Sequence, residues 1–344
     1  MKTAVVVCPG RGTYNKTELG YLRKYFPDTS MLAEFDAVRR EAGQPTLGDL
    51  DGAERFSIGE HTRGDNASAL IYAATLGDFL SIDADAIEIV AVTGNSMGWY
   101  SALGCAGALS PEDGFAVANT MGSLMQQTLI GGQLIYPFVD DDWRPQPERR
   151  AALLALAEEI DARKDHALRV SINLGGMLVL AGNEAGLAAF ERAAEPVQQR
   201  FPMRLANHAA FHTSLMAPVA AAGRERLPAS LFGQPRVPLI DGRGAIWRPK
   251  ASDAVSLWDY TLGAQVTETY DFTRAVTIAA REFAPDLFII TGPGTTLGGA
   301  VAQSLILAGW RGMGGKDDFK MAQEKTPLLA SMGMPDQRAG VVRP

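Results

Sequence analysis

Gly94-Asn95-Ser96-Met97-Gly98 sets a serine between two glycines in the spacing G-x-S-x-G. The run Ile87 to Val92 before it is rich in β-branched residues, and the alanine-rich run to Leu109 after it suits a helix. A serine on so tight a strand-to-helix turn is held strained with its hydroxyl exposed, and the flanking glycines let strand and helix close up. Unpaired N–H groups at the start of the helix point toward any oxyanion formed there. The chemistry this pattern suits is attack by Ser96 on an acyl carbon. The other reading of the same residues is a plain strand-to-helix turn.

A serine hydroxyl needs a base at neutral pH. The chain has four histidines, His61, His166, His208 and His212. His61 and His166 fall in polar stretches and read as solvated. His208 and His212 lie where a mid-chain segment ends and the apolar, glycine-punctuated style of the N-terminal part resumes. From there a side chain can reach back over Ser96. An α/β-hydrolase places its histidine late, after an acid that follows the serine. No histidine follows His212, so the standard hydrolase order does not apply.

The elements that must position these residues read as follows. Thr3 to Cys8 is a buried parallel strand ending in the loop Pro9-Gly10-Arg11-Gly12, which lacks the later residues of a P-loop or dinucleotide fingerprint. Residues 66–81 form a helix, and Ser110-Pro111-Glu112-Asp113 starts another with a cap, a proline at the first position and two acids. From 133 to 206 the order is strand 133–139, helix 148–163, strands 168–173 and 177–181, helix 184–199 and strand 203–206, the βαββαβ order of a ferredoxin-like unit. Further buried strands are expected at 237–240 and 287–291, with a helix over 271–283. The expected fold class is therefore α/β: a hydrolase-like core with a mainly parallel sheet, residues 1–131 and 207–310, and an inserted ferredoxin-like subdomain, residues 132–206. Residues 311–344 show no clear period and read as a partly ordered tail.

With 344 residues, 47% of them hydrophobic and both charge signs mixed, the chain has the composition of a soluble globular protein. A net charge of −7 disfavours nucleic acid as partner. Two cysteines, Cys8 and Cys105, give no disulfide framework or metal-ligand cluster, and no metal site is expected. Asp140-Asp141-Asp142 lacks the glycine and spaced partners of a calcium loop. The short apolar run at the N-terminus does not reach a signal-peptide core, and no stretch reaches the length of a membrane span, so a cytoplasmic location without membrane attachment is expected. The oligomeric state is left open, and a monomer is compatible.

Ala210-Phe211-His212-Thr213-Ser214-Leu215-Met216 resembles the "AFHSxxM" block of the malonyl-CoA:acyl-carrier-protein transacylases and the acyltransferase domains of fatty acid and polyketide synthases. Pro9 to Gly12 resembles "PGQG", Gly94 to Ala102 resembles "GHSLGEYxA", and Leu124-Met125-Gln126 resembles "LMQ". Asn173 to Gly182, Gln265 with Tyr270 and Phe272, and Gly292-Pro293-Gly294 resemble three further blocks in the same order. The resemblance implies ping-pong transfer: Ser96 takes an acyl group from an acyl-CoA with His212 as general base, then passes it to the phosphopantetheine thiol of an acyl carrier protein. It implies that Gln265 orients His212 through its backbone carbonyl, and that the backbone N–H groups of Arg11 and Met97 form the oxyanion hole. It places Met121, Trp99, Asn173 and Phe211 against substrate. No bound cofactor is implied; acyl-CoA and the carrier protein are the partners.

The family arginine that pairs with the malonyl carboxylate corresponds to Met121. Either the acyl group is neutral, with Met121 lining an apolar pocket, or another cation serves, for which Arg11 is the leading candidate. Asn95, Trp99, Tyr14 and Met177 also depart from the family pattern. Rival readings of the same site are an acyl-ACP or acyl-CoA thioesterase, a Ser-Asp hydrolase using Asp241, and a non-catalytic synthase subunit.

Overall fold

A computed structural model describes residues 1–27 and 30–343. Among the described residues, eleven strands make two sheets. β1 (Lys2–Cys8), β2 (Ile87–Gly94), β7 (Leu239–Ile240), β8 (Ile246–Trp247), β10 (Leu287–Ile290) and β11 (Leu329–Ser331) form the core sheet, in the order β11-β10-β1-β2-β7-β8. All neighbours in it are parallel except the β7–β8 pair. A central parallel strand is covered on both faces, which explains why Ala4 to Cys8 is an unbroken apolar run with no exposed residue. Each fully buried valine there contributes about 1.5–3 kcal/mol.

The second sheet contains β3 (Gly132–Pro137), β4 (Leu168–Leu174), β5 (Met177–Gly182), β6 (Met203–Arg204) and β9 (Tyr270–Asp271), in the order β6-β3-β5-β4-β9. The first four, with helices Pro147–Asp161 and Glu184–Ala193 between them, follow the ferredoxin-like chain order and are antiparallel. Their hydrophobic cluster, with Leu134, Ile160, Leu180 and Phe190 at its centre, is separate from that of the core. β9 comes from the later part of the core and joins β4 in parallel, tying the two units together. The second helix stops at Ala193, short of the expected 199. Pro196 disfavours helical backbone at Glu195, and the chain turns there.

The C-terminal segment differs from the expected loose tail. Residues 316–325 form a helix, β11 adds a parallel edge to β10, and Pro335–Ala339 is a further helix, so the core continues well past residue 310. Position 344 lies outside the described residues. Arg338 forms a buried ion pair with Asp78 in the Gly64–Ser81 helix, and the Tyr21 hydroxyl donates to the same carboxylate at 2.8 Å. A three-residue strand has too little length to show a period; it is placed by its partner's backbone and by this clasp. His61, expected to be solvated, is fully buried, with Nε2 2.9 Å from the Leu50 carbonyl.

Candidate active site

β1 and β2 are adjacent and in register at their ends, Cys8 opposite Gly94. The loop after β1 and the turn after β2 therefore emerge side by side at the C-terminal edge of the sheet, where parallel α/β folds carry ligand sites. The Asn95 N–H donates to the Cys8 carbonyl at 2.9 Å, and a Cβ on Gly10 would run into the Asn95 carbonyl. Gly98 lies so close to the Cys8 carbonyl that no side chain fits, and Gly94 is pressed on the Gly98 carbonyl in the same way. The glycines of G-x-S-x-G are thus fixed by close backbone approach. Ser96 itself has φ +54°, the left-handed conformation that costs a non-glycine residue free energy and that surrounding structure must enforce.

Ser96 Oγ is 2.7 Å from His212 Nε2. His212 Nδ1 is 2.7 Å from the backbone carbonyl of Gln265. A carbonyl can only accept, so Nδ1 carries the proton and Nε2 is left with its lone pair toward the serine hydroxyl. The Gln265 side chain closes a ring of contacts: its Nε2 donates to the Ser96 carbonyl at 3.1 Å, and its Oε1 accepts from the Tyr100 hydroxyl at 3.0 Å. Tyr270 donates to the Gly94 carbonyl at 2.6 Å and packs its ring 5.4 Å from that of His212. Burial lowers the His212 pKa to about 4, partly opposed by the hydrogen bond to Gln265. The imidazole is neutral at pH 7, the form a base requires.

Ser96 opens on a cleft of about 960 Å³. One wall is the loop 10–15 with Asn95 and Ser96; the other is the face of the small sheet, with Ile135, Ile172, Met177 and Val179. Leu297 and Ala300 extend its apolar part. The backbone N–H groups of Arg11 and Met97 have no protein acceptor among the described residues. Nor do those residues contain a cluster of three His, Cys, Asp or Glu side chains able to hold a metal ion.

A malonyl CoA-acyl carrier protein transacylase of Salmonella typhimurium is 26% identical over 211 residues, 60% of this chain and 63% of that protein. An acyl-carrier-protein S-malonyltransferase from Burkholderia pseudomallei superimposes over 99% of both chains with a TM-score of 0.74 at 22% identity. In sequence this chain is similar to malonyl-CoA:acyl-carrier-protein transacylases, and it shares their fold. The chain spans under two thirds of the length of the Salmonella relative. A solved complex of a type II polyketide synthase acyl-carrier protein with its malonyl-transacylase also matches, over 99% of both chains, with a TM-score of 0.73 and 18% identity. No family model matches the chain.

The transacylase pattern placed four side chains against substrate, and the cleft receives one of them, Phe211. Met121 is fully buried outside it, with its sulfur so close to Gly223 that a Cβ there would lie 2.7 Å away. Helix Pro111–Gln127 turns this residue toward helix Ala217–Arg226, and it packs the core instead of lining a pocket. Trp99 is also fully buried; its indole N–H donates to Thr261 Oγ1 at 3.0 Å. Asn173 alternates to the far side of the small sheet, where it bonds Asp271 at 3.1 Å and Arg150 at 3.2 Å beside a separate cavity. Its neighbours Ile172 and Leu174 line the cleft, as period-2 strand geometry requires. Asp241 is a buried turn residue bound by Arg243, Trp247 and backbone N–H groups, outside the residues that line the cleft.

Sequence reasoning did not single out Tyr100; it set His208 beside His212 as able to reach Ser96, and the structure gives that contact to His212. Tyr100 lies four residues after Ser96, one helical turn on, a spacing that could have drawn attention to it. His208 lines the cleft with Nδ1 2.7 Å from Gln133 Oε1, and burial, with the charge of Arg11, lowers its pKa to about 3.

Proposed function

We propose that this chain is an acyl-CoA:acyl-carrier-protein S-acyltransferase of fatty acid or polyketide synthesis, working through an acyl-Ser96 intermediate. The observation that carries the reading is the relay Ser96 Oγ, His212 Nε2, His212 Nδ1, Gln265 carbonyl, with both contacts at 2.7 Å. In the first half-reaction Ser96 Oγ attacks the thioester carbon as its proton passes to His212 Nε2. The tetrahedral oxyanion is met by the N–H groups of Arg11 and Met97, and collapse expels the CoA thiolate, which takes the proton from His212. In the second half the carrier thiol gives its proton to His212 and attacks the acyl-serine. The same steps in reverse order then release Ser96.

The Gln265 carbonyl does what an aspartate does in a serine protease triad, fixing tautomer and ring orientation, but brings no negative charge. An uncharged partner fits a site whose burial already disfavours imidazolium. That thioesters are more reactive than amides makes the weaker support sufficient. Cytoplasmic placement and a carrier-protein partner belong to the same proposal. Among the described residues no helix is long and apolar enough to cross a membrane.

Intact-mass analysis after incubation with acyl-CoAs tests the reading. The expected result is one acyl group on the wild-type protein, none on Ser96→Ala, and transfer of the group to a phosphopantetheinylated carrier protein on its addition. Release of the group as free acid with no transfer would make the protein a thioesterase. No adduct with any thioester would leave a non-catalytic subunit.

A further inference from the structure

A chain of hydrogen bonds runs from the main chain beside His212 out to the cleft. Ser171 Oγ in β4 donates to the Phe211 carbonyl at 2.8 Å, Gln133 Nε2 in β3 donates to Ser171 Oγ at 2.6 Å, and Gln133 Oε1 lies 2.7 Å from His208 Nδ1. The direction of each bond is fixed. The Phe211 carbonyl takes the single hydroxyl proton of Ser171, so Ser171 can only accept from Gln133, and the amide must turn its oxygen to His208. His208 Nδ1 therefore carries the proton, and Nε2 is left as a bare lone pair. Gln133 and Ser171 are buried, which holds the chain in this one arrangement.

His208 Nε2 makes no hydrogen bond within the protein. Nor is it buried: among the described residues the buried side-chain nitrogens and oxygens without a partner are Arg11 Nε and Nη1, Asn95 Oδ1, Ser101 Oγ and Ser331 Oγ. The half-buried His208 lines the cleft, so that is the space its Nε2 reaches. The small-sheet wall of the cleft, with Ile135, Ile172, Met177 and Val179, has no side-chain N–H or O–H to offer it. Arg11, whose charge it feels, makes no hydrogen bond to it. That charge and the surrounding burial hold the His208 pKa down to about 3, so the imidazole stays an acceptor throughout the neutral range.

We propose that His208 is a specificity-determining residue of the cleft, and that its Nε2 accepts a hydrogen bond from an N–H or O–H of the bound thioester. The inference rests on the acyl-Ser96 reading and names the feature of the substrate that this wall selects. Two parts of an acyl thioester carry such a donor, a hydroxyl on the acyl chain and an amide of the phosphopantetheine arm, and the chemistry at Nε2 is the same for both. A ligand that covers His208 without supplying a donor leaves the lone pair unmet, the penalty by which a polar site rejects an analogue lacking its N–H or O–H.

The test loads two matched pairs of thioesters, below saturation, onto wild-type protein and His208→Phe. One pair is butyryl-CoA and 3-hydroxybutyryl-CoA; the other is the butyryl thioester of N-acetylcysteamine and its isostere with CH2 in place of the amide N–H. Rates are read by intact mass at early times and divided by the rate at which a neutral fluorophosphonate labels Ser96, which reports the relay alone. Wild type is expected to prefer the donor-bearing member of one pair by about 10-fold or more, the worth of one hydrogen bond left unmade in a desolvated site, and that pair identifies the donor. His208→Phe is expected to lose the preference, and His208→Gln, whose amide can donate to Gln133 and still present an oxygen, to recover part of it. Equal loading within both pairs by wild type overturns the proposal without any variant, as does a preference that survives in His208→Phe. Failure of every thioester to load wild type sinks the acyl-Ser96 reading instead.

Discussion

The low pKa of His212 makes a prediction about Ser96 that does not depend on knowing the substrate. A neutral fluorophosphonate, which phosphonylates activated serines and carries no titrating group, reports the fraction of enzyme with unprotonated His212. With the pKa lowered to about 4 by burial, lowering the pH from about 7 to about 5 leaves nine-tenths of the imidazole neutral, and the labelling rate falls by about a tenth. An exposed histidine near 6.5 would lose about 25-fold over the same interval. The sign follows from the role: the base works unprotonated, so reactivity is flat at neutral pH and is lost only as pH falls through the folded-state value. The assay is the rate of mass gain at a series of pH values, with circular dichroism to show the fold intact at each. An inflection between about pH 6 and 7 would refute the claim that burial controls this imidazole.

Three further outcomes follow from the geometry. His212→Ala should lower the labelling of Ser96 by about 10³-fold or more, whereas Gln265→Ala, which keeps the backbone carbonyl but loses the ties to Ser96 and Tyr100, should lower it by only about 10-fold. A Gln265→Ala variant as inactive as His212→Ala would show that the side chain does more than position. Met121→Arg should destabilise the fold by about 3 kcal/mol or more by forcing a charge against Gly223, with no gain in loading of acid-ended acyl groups; denaturant titration and intact mass check both. Arg338→Met strands the buried Asp78 carboxylate and should cost about 3 kcal/mol, seen as a lower urea midpoint, while the fluorophosphonate rate of the folded fraction is unchanged.

The sequence by itself determined the local events. An apolar run between turn signals became β1, Ser110 and Pro111 opened a helix, and the alternation of the middle segment produced a ferredoxin-like sheet, because each depends on neighbours a few residues apart. Ser96 and His212 were legible for a different reason: few residue types can do the chemistry, and the chain holds only four histidines. What the tertiary structure alone decided is which side chains face the cleft. Met121 and Trp99 turned into the core and Asn173 to the back of its sheet, because facing depends on the rotation of each element against its neighbours, and one residue of strand register inverts it. The ordering of the C-terminal segment was decided in the same way, by pairing to β10 and the Arg338–Asp78 clasp across some 260 residues of chain, which no local pattern can encode.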